Sequence, residues 1–167
     1  MSSAHKHTYE LHYFKQMVAR PETIRGLLSL GNIPFTVSEY GLLEWGKYKN
    51  NFPHGLVPVL TIRDADTNEI FAELTESSAI ERYIANMIGH HGDNAVEQAH
   101  IDAIRMQIDP VVSTLYAHYW TPAEGKPMRA EAVKKALDTL FRYHEPILAK
   151  NGGNGHYVGD RITIADL

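Results

Sequence analysis

Sulfur and metal chemistry are the first things this sequence restricts. It contains no cysteine, so a disulfide scaffold, a C-x-x-C redox pair, a thiolate zinc site and a cysteine nucleophile are all excluded. Any sulfur chemistry must use a sulfur that the ligand brings. Ten histidines, with His5/His7 and His90-His91 paired, invite a metal reading, but no H-E-x-x-H or comparable spacing accompanies them, and no metal is expected. What remains are residues suited to holding a ligand. Glu76-Ser77 stands where a helical period begins, and there a hydroxyl and free N–H groups either cap the helix or receive a carboxylate. Trp45 and Lys49 are spaced four apart, enough to share one side of a helical turn. Thr163 to Asp166 has the S/T-x-x-D form of a capping box, with Ile162 and Leu167 flanking it as a hydrophobic staple requires.

Composition narrows the partners. A chain of 167 residues with 44% hydrophobic and 22% charged residues suits a soluble globular protein of one large or two small domains. Sixteen Lys+Arg against twenty Asp+Glu leave a net charge of -4, which gives no electrostatic drive toward nucleic acid or anionic membrane. No apolar run approaches the roughly 18 residues of a membrane span, and M-S-S-A-H-K-H lacks the apolar stretch of a secretory signal. A cytoplasmic location is expected.

The elements that must position these residues follow from periodicity. Residues 8–14 alternate and carry aromatics, as a strand does, and Pro21 opens a helical stretch with Ile24, Leu27, Leu28 and Leu30 on one side. Gly31 stops it before a second strand, Phe35 to Tyr40. After a polar and aromatic stretch, Gly41 to Gly55, the runs Val57 to Ile62 and Glu69 to Glu73 form an antiparallel hairpin. A helix follows from Ser77 and ends before Gly89. Every later segment has helical period: a long helix through Ala99 and Leu115, kinked at Pro110, a loop from Pro122 to Pro127, and a second long helix through Val133 and Leu148. The expected fold is an α/β domain over 1–88, a linker over 89–95 and an all-α domain over 96–167.

A β-α-β-loop-β-β-α order with a proline opening the third strand is the plan of a thioredoxin-like domain. That proline is usually cis, which turns the backbone of the preceding residue, here Val57, toward a bound peptide. Seven pieces sharpen the likeness: L-H-Y-F at 11–14, A-R-P-E-T-I-R at 19–25, W-x-x-x-K at 45–49, V-P-V-L at 57–60, E-S-S-A-I at 76–80, E-Q-A-H-I-D-A-I at 97–104 and V-G-D-R-I-T-I-A-D-L at 158–167. In that order they resemble the cytosolic glutathione transferases, closest to the sigma class, from Tyr9 to Leu167.

The resemblance implies glutathione as co-substrate and Tyr13 as the residue that stabilises its thiolate; the alternative is a tyrosine that only packs a strand end. Lowering a thiol from its usual value near 8.5 by about two units is worth about 2.7 kcal/mol, and one hydrogen bond to a charged acceptor supplies roughly 1.5–3 kcal/mol. Ser77 and the helix start would take the γ-glutamyl carboxylate and Glu76 would face its ammonium. Val57, ahead of Pro58, would pair with the cysteinyl backbone, Trp45 and Lys49 would serve the glycyl end, and Arg20 would line the pocket near the sulfur or act as a surface cation. Asp109 lies near the position from which one subunit reaches its partner's ligand, although Pro110 aligns there equally well. Tyr116, Tyr119 and Trp120 either face an apolar electrophile or pack. One departure stands out: the stretch from Tyr13 to Arg20 is a residue longer than the sigma pattern, with K-Q-M-V-A in place of a small glycine-containing turn.

The implied activity is detoxifying conjugation of glutathione to apolar electrophiles by a homodimer, the small domain of one subunit against the helical domain of the other. An isomerase or a peroxidase on the same fold, or a non-catalytic binding or structural relative, are the alternatives. The capping box is built to start a helix, yet only Leu167 follows it. The family's helical domain is therefore expected to be incomplete here, leaving an apolar patch that binds a hydrophobic dye or recruits another chain.

Overall fold

The computed structural model describes residues 6–167, so His5 of the His5/His7 pair lies outside the described residues. The chain divides into two compact units, one ending at Ile88 and the other beginning at Gly89.

The first unit is a four-stranded mixed sheet with two helices. Its elements are β1 (His7–Phe14), α1 (Pro21–Leu30), β2 (Phe35–Tyr40), β3 (Val59–Asp64), β4 (Ile70–Thr75) and α2 (Ser77–Ile88). The strands lie in the order β2-β1-β3-β4, with β1 parallel to β2 and the remaining pairs antiparallel. This is the thioredoxin-like arrangement. Alternation along β1 puts Tyr9, Leu11 and Tyr13 on one face, and the register Tyr9↔Ile62 and Leu11↔Leu60 adds the β3 residues to it. All five are buried, as are Ile24, Leu27 and Leu28 of α1 and Ile80 and Ile84 of α2. The opposite face is polar, with Glu10 and His12 of β1 beside Thr61 of β3 and Ser38 of β2.

The helix signals work as their chemistry requires. Pro21 occupies the first turn of α1, where a missing N–H costs nothing. The hairpin turn is an Asx turn: Asp64 accepts the N–H groups of Asp66 and Thr67, each at 2.9 Å, and those bonds hold its exposed carboxyl below the usual carboxylate range. Gly31 is required by contact. A β-carbon there would overlap Cγ2 of Ile88, so the end of α1 meets the end of α2 only because that position is bare.

The second unit is helical: α3 (Ala95–Met106), α4 (Ile108–Tyr119) and α5 (Lys126–Lys150). The expected single helix through Ala99 and Leu115 is two helices. Pro110 has no N–H to bond the carbonyl of Met106, and the chain breaks at Gln107 instead of bending at the proline. The expected loop from Pro122 to Pro127 is also shorter than read, because Pro127 is tolerated inside the first turn of α5. Asn94 caps α3 by accepting from Val96 and Glu97 N–H groups, while Glu97 returns a bond to Asp93 N–H.

The capping box at the end of the chain is formed. Ala165 N–H donates to Thr163 Oγ1 at 3.2 Å, Thr163 N–H donates to Asp166 Oδ2 at 2.8 Å, and Ile164 is buried with its N–H on the His90 carbonyl. Arg161 and Asp93 pair across the same junction. No helix among the described residues is long and apolar enough to cross a membrane.

Replacing Gly31 by alanine is expected to lower the unfolding free energy by about 1–3 kcal/mol through overpacking against Ile88. Urea denaturation should show this as a lower midpoint at unchanged slope.

Candidate active site

Strand register builds the candidate site. His12 pairs with Val59, and Val59 pairs with Thr75, which makes one row across β1, β3 and β4. The next residue beyond that row is Tyr13 on β1, Pro58 ahead of β3 and Glu76 after β4. Neighbouring strands lie about 4.8 Å apart, so these three backbones span about 10 Å, the reach of an extended tripeptide.

Each of the three has a distinctive local structure. Tyr13 is only 4% exposed, and its ring centroid lies 5.6 Å from that of Phe14. The Val57-Pro58 bond is cis; Pro58 is buried and Val57 half-buried. Glu76 is exposed and has φ of 65°, a left-handed conformation uncommon for a residue with a β-carbon. Its carbonyl accepts the N–H groups of Ala79 and Ile80, both at 3.0 Å, so it acts as the N-terminal cap of α2. Ser77, buried, opens that helix. A carboxylate side chain thus stands outside the positive end of the helix, in the sense the helix dipole favours.

The segment after β2 forms two short 3₁₀ turns, Leu42–Lys47 and Lys49–Asn51, and no α-helix. At three residues per turn, residues four apart point about 120° away from each other, against about 40° in an α-helix. Trp45 and Lys49 therefore do not share a face through regular helical geometry. Trp45 is half-buried against the rings of Phe14, Tyr40 and Phe52 at 5.2, 5.7 and 5.3 Å; Lys49 is exposed. Phe14 thus links the end of β1, beside Tyr13, to Trp45.

The longer stretch between Tyr13 and Arg20 is accommodated by a turn in which Gln16 takes a φ of 57°. Lys15 N–H donates to the Tyr40 carbonyl at 2.9 Å, so pairing of β1 with β2 continues past Phe14 before the chain turns away. Val18 is 82% exposed on this loop. Arg20 precedes α1, half-buried, with no capping bond from its side chain. The remaining candidates belong to the second unit. Asp109 lies in the first turn of α4. Tyr119 and Trp120 are exposed and pack edge to face, with centroids 5.0 Å apart. Tyr116 is half-buried, and its hydroxyl is shielded with no hydrogen-bond partner among the described residues.

With this geometry established, likeness to known proteins decides the family. The family model described as Glutathione S-transferase, C-terminal domain, matches residues 108–167. A probable glutathione S-transferase 6 of Caenorhabditis elegans is 30% identical over 164 residues, which cover 95% of this chain and 75% of that protein. The chain belongs to the glutathione transferase family. The fold agrees: the sigma-class glutathione transferase of Fasciola hepatica superposes with a TM-score of 0.85 at 28% identity, over 96% of this chain and 75% of that one. S-crystallin 4 of Enteroctopus dofleini is also similar, 28% identical over 173 residues, 96% of this chain and 77% of its own.

Two features of this glutathione transferase escape motif reading. The first is the group formed by His12, Tyr40 and Phe52 beneath Trp45; strand alternation, which sends His12 and Tyr13 to opposite faces, is the signal for it. The second is the backbone of Glu76, for which a sequence carries no signal. Because Glu76 holds a conformation that glycine adopts freely, Glu76→Gly is expected to leave the unfolding free energy unchanged or raise it by up to about 1 kcal/mol. Thermal and urea melts check this, and a clear loss of stability would mean that the glutamate side chain carries structure.

Proposed function

We propose that this chain binds glutathione along the sheet end at Tyr13, Pro58 and Glu76 and conjugates its thiolate to apolar electrophiles. The observation that carries the reading is the row of pairs from His12 through Val59 to Thr75, which aligns a tyrosine, a cis-proline and a helix cap over the length of a tripeptide. In this reading Ser77 and the N–H groups of α2 receive the γ-glutamyl carboxylate and Glu76 its ammonium. Val57 pairs with the cysteinyl backbone, and Trp45 and Lys49 donate to the glycyl carboxylate. Arg20 lines the approach to the sulfur. Tyr13 donates its hydroxyl to the sulfur, and one charge-assisted bond of roughly 1.5–3 kcal/mol supplies most of the about 2.7 kcal/mol that makes thiolate the main species near neutral pH. Tyr116, Tyr119 and Trp120 offer aromatic surface to the electrophile. A cytoplasmic homodimer, with Asp109 reaching the partner's ligand, is part of the same proposal.

A second reading, a non-catalytic member, has its own support. S-crystallins match this chain about as well as transferases do, and the Gln16 turn lies in the stretch next to Tyr13 that departs from the sigma pattern. Retention on immobilised glutathione, followed by conjugation of a chlorodinitrobenzene-type electrophile, separates the two. Binding with turnover supports the transferase, and binding without it supports the second reading.

Two variants follow. Tyr13→Phe should keep glutathione affinity within a few-fold and cut conjugation at least about tenfold, because the lost donor acts on the thiolate; equal activity would remove Tyr13 from the chemistry. Glu76→Gly, although no less stable, should lose retention on the glutathione matrix.

A further inference from the structure

The glutathione reading gives no role to the buried histidines His12, His91 and His144, and of these His12 is the one on β1 beside Tyr13. His12 precedes Tyr13 on β1, and alternation sends its ring to the opposite face of the sheet, where it is 8% exposed. Its Nδ1 lies 3.0 Å from the hydroxyl of Tyr40 on β2, and its Nε2 lies 3.0 Å from Thr61 Oγ1 on β3. A neutral imidazole has one N–H donor and one acceptor nitrogen, and each partner is a hydroxyl able to play either part, so either tautomer fills both contacts. The ring also meets Phe52 edge-on at 5.3 Å. Tyr40 in turn contacts Trp45, Tyr48 and Phe52 with ring centroids 5.7, 5.2 and 5.4 Å away. One imidazole thus ties three strands together and supports the segment that carries Trp45 and Lys49.

We infer that neutral His12 is a positioning residue that fixes the seat of Trp45, and that its protonation loosens this seat and weakens capture of the ligand's glycyl end. The inference rests on the proposed role of Trp45 and Lys49. The groups around the ring compete. Glu10, on the same strand, lies 3.9 Å from Nε2 and accepts the Ser38 hydroxyl of β2 at 2.5 Å. With Glu73 of β4 it favours the imidazolium, whereas burial and Arg63 of β3 oppose it. Burial is the largest influence, and the His12 pKa falls below its ordinary value of 6.5. The unfolded chain therefore takes up this proton at higher pH than the folded one. The stabilisation is complete above pH 6.5 and is lost as pH falls through the lower folded value. Once charged, both ring nitrogens donate, so the hydroxyls of Tyr40 and Thr61 must both accept and turn their own protons toward new partners.

The test uses the whole chain with Trp120→Phe, which leaves Trp45 as the only indole, and S-methylglutathione as probe, because its sulfur carries no proton to titrate. From about pH 7.5 to about pH 5, Trp45 emission should shift in one step with its midpoint below 6.5, and affinity for the probe should fall about fivefold or more. Two further variants carry the decision. His12→Gln supplies an uncharged donor and acceptor and should abolish the step. Tyr40→Phe keeps the ring, removes only the hydroxyl link and should abolish it as well. An unchanged step in Tyr40→Phe, or no step with His12 and Tyr40 intact, overturns the inference. If the probe binds but neither signal steps, the His12 inference fails alone. If Trp45 steps and the probe binds at no pH, the glutathione reading fails and takes the ligand half of this inference with it.

Discussion

The pairing of His12 with Val59, and of Val59 with Thr75, is the constraint on which the rest of the first unit depends. Side chains alternate along a strand, so sliding β1 by one residue would send Tyr13 to the polar face and His12 into the core. The apolar residues prevent this. Tyr9 and Leu11 face Ile62 and Leu60 in this register alone, and all four are buried. The hydrophobic packing that stabilises the sheet therefore also decides which side chains emerge beyond its end, and the candidate site inherits its geometry from the core.

Local conformation at the site is tuned against backbone preference. Glu76 holds a left-handed φ although it carries a β-carbon. Strain of this kind persists where the surroundings determine it, and here they do: the Glu76 carbonyl is committed to Ala79 and Ile80, and Ser77 is already inside the helix and buried. Gln16 is a second such residue, in the turn that accommodates the longer stretch after β1. Asn32 and Asn68 also take a left-handed φ, but asparagine tolerates that conformation, whereas Gln16 and Glu76, beside Tyr13 and Ser77, hold it against their preference.

Much of the fold is legible in the sequence, for a physical reason. Period-two alternation in 8–14 and the Ile24, Leu27, Leu28 stripe report burial, and burial is what forms β1 and α1. The punctuation by Pro21 and Asp64 to Asn68 acts through local chemistry that tertiary packing does not override, whereas Gly31 is fixed by its contact with Ile88. The segment from Leu42 to Asn51 is less legible, because 3₁₀ turns have no strong residue signature and Trp45 packs on Phe14, a ring distant in sequence, as well as on nearby Tyr40 and Phe52. Pro110 announces a disturbance, but whether a helix kinks or breaks depends on neighbouring packing, and here it breaks at Gln107. Of the candidate site, residue types and order are visible in the motifs. The cis bond at Pro58 is as the thioredoxin-like plan implies, whereas the conformation of Glu76 and the support of Trp45 by His12 are properties of the assembled sheet.

The central claim is that a tyrosine hydroxyl at the end of β1 stabilises a thiolate the protein itself cannot supply. The most direct measurement is the pH titration of the thiol of bound glutathione, followed by the ultraviolet difference absorbance of the thiolate at saturating protein. The account predicts that the bound thiol ionises about two units below the ordinary value near 8.5 and returns most of the way to it when Tyr13 is phenylalanine. A bound thiol that titrates at its ordinary value in both proteins would contradict it.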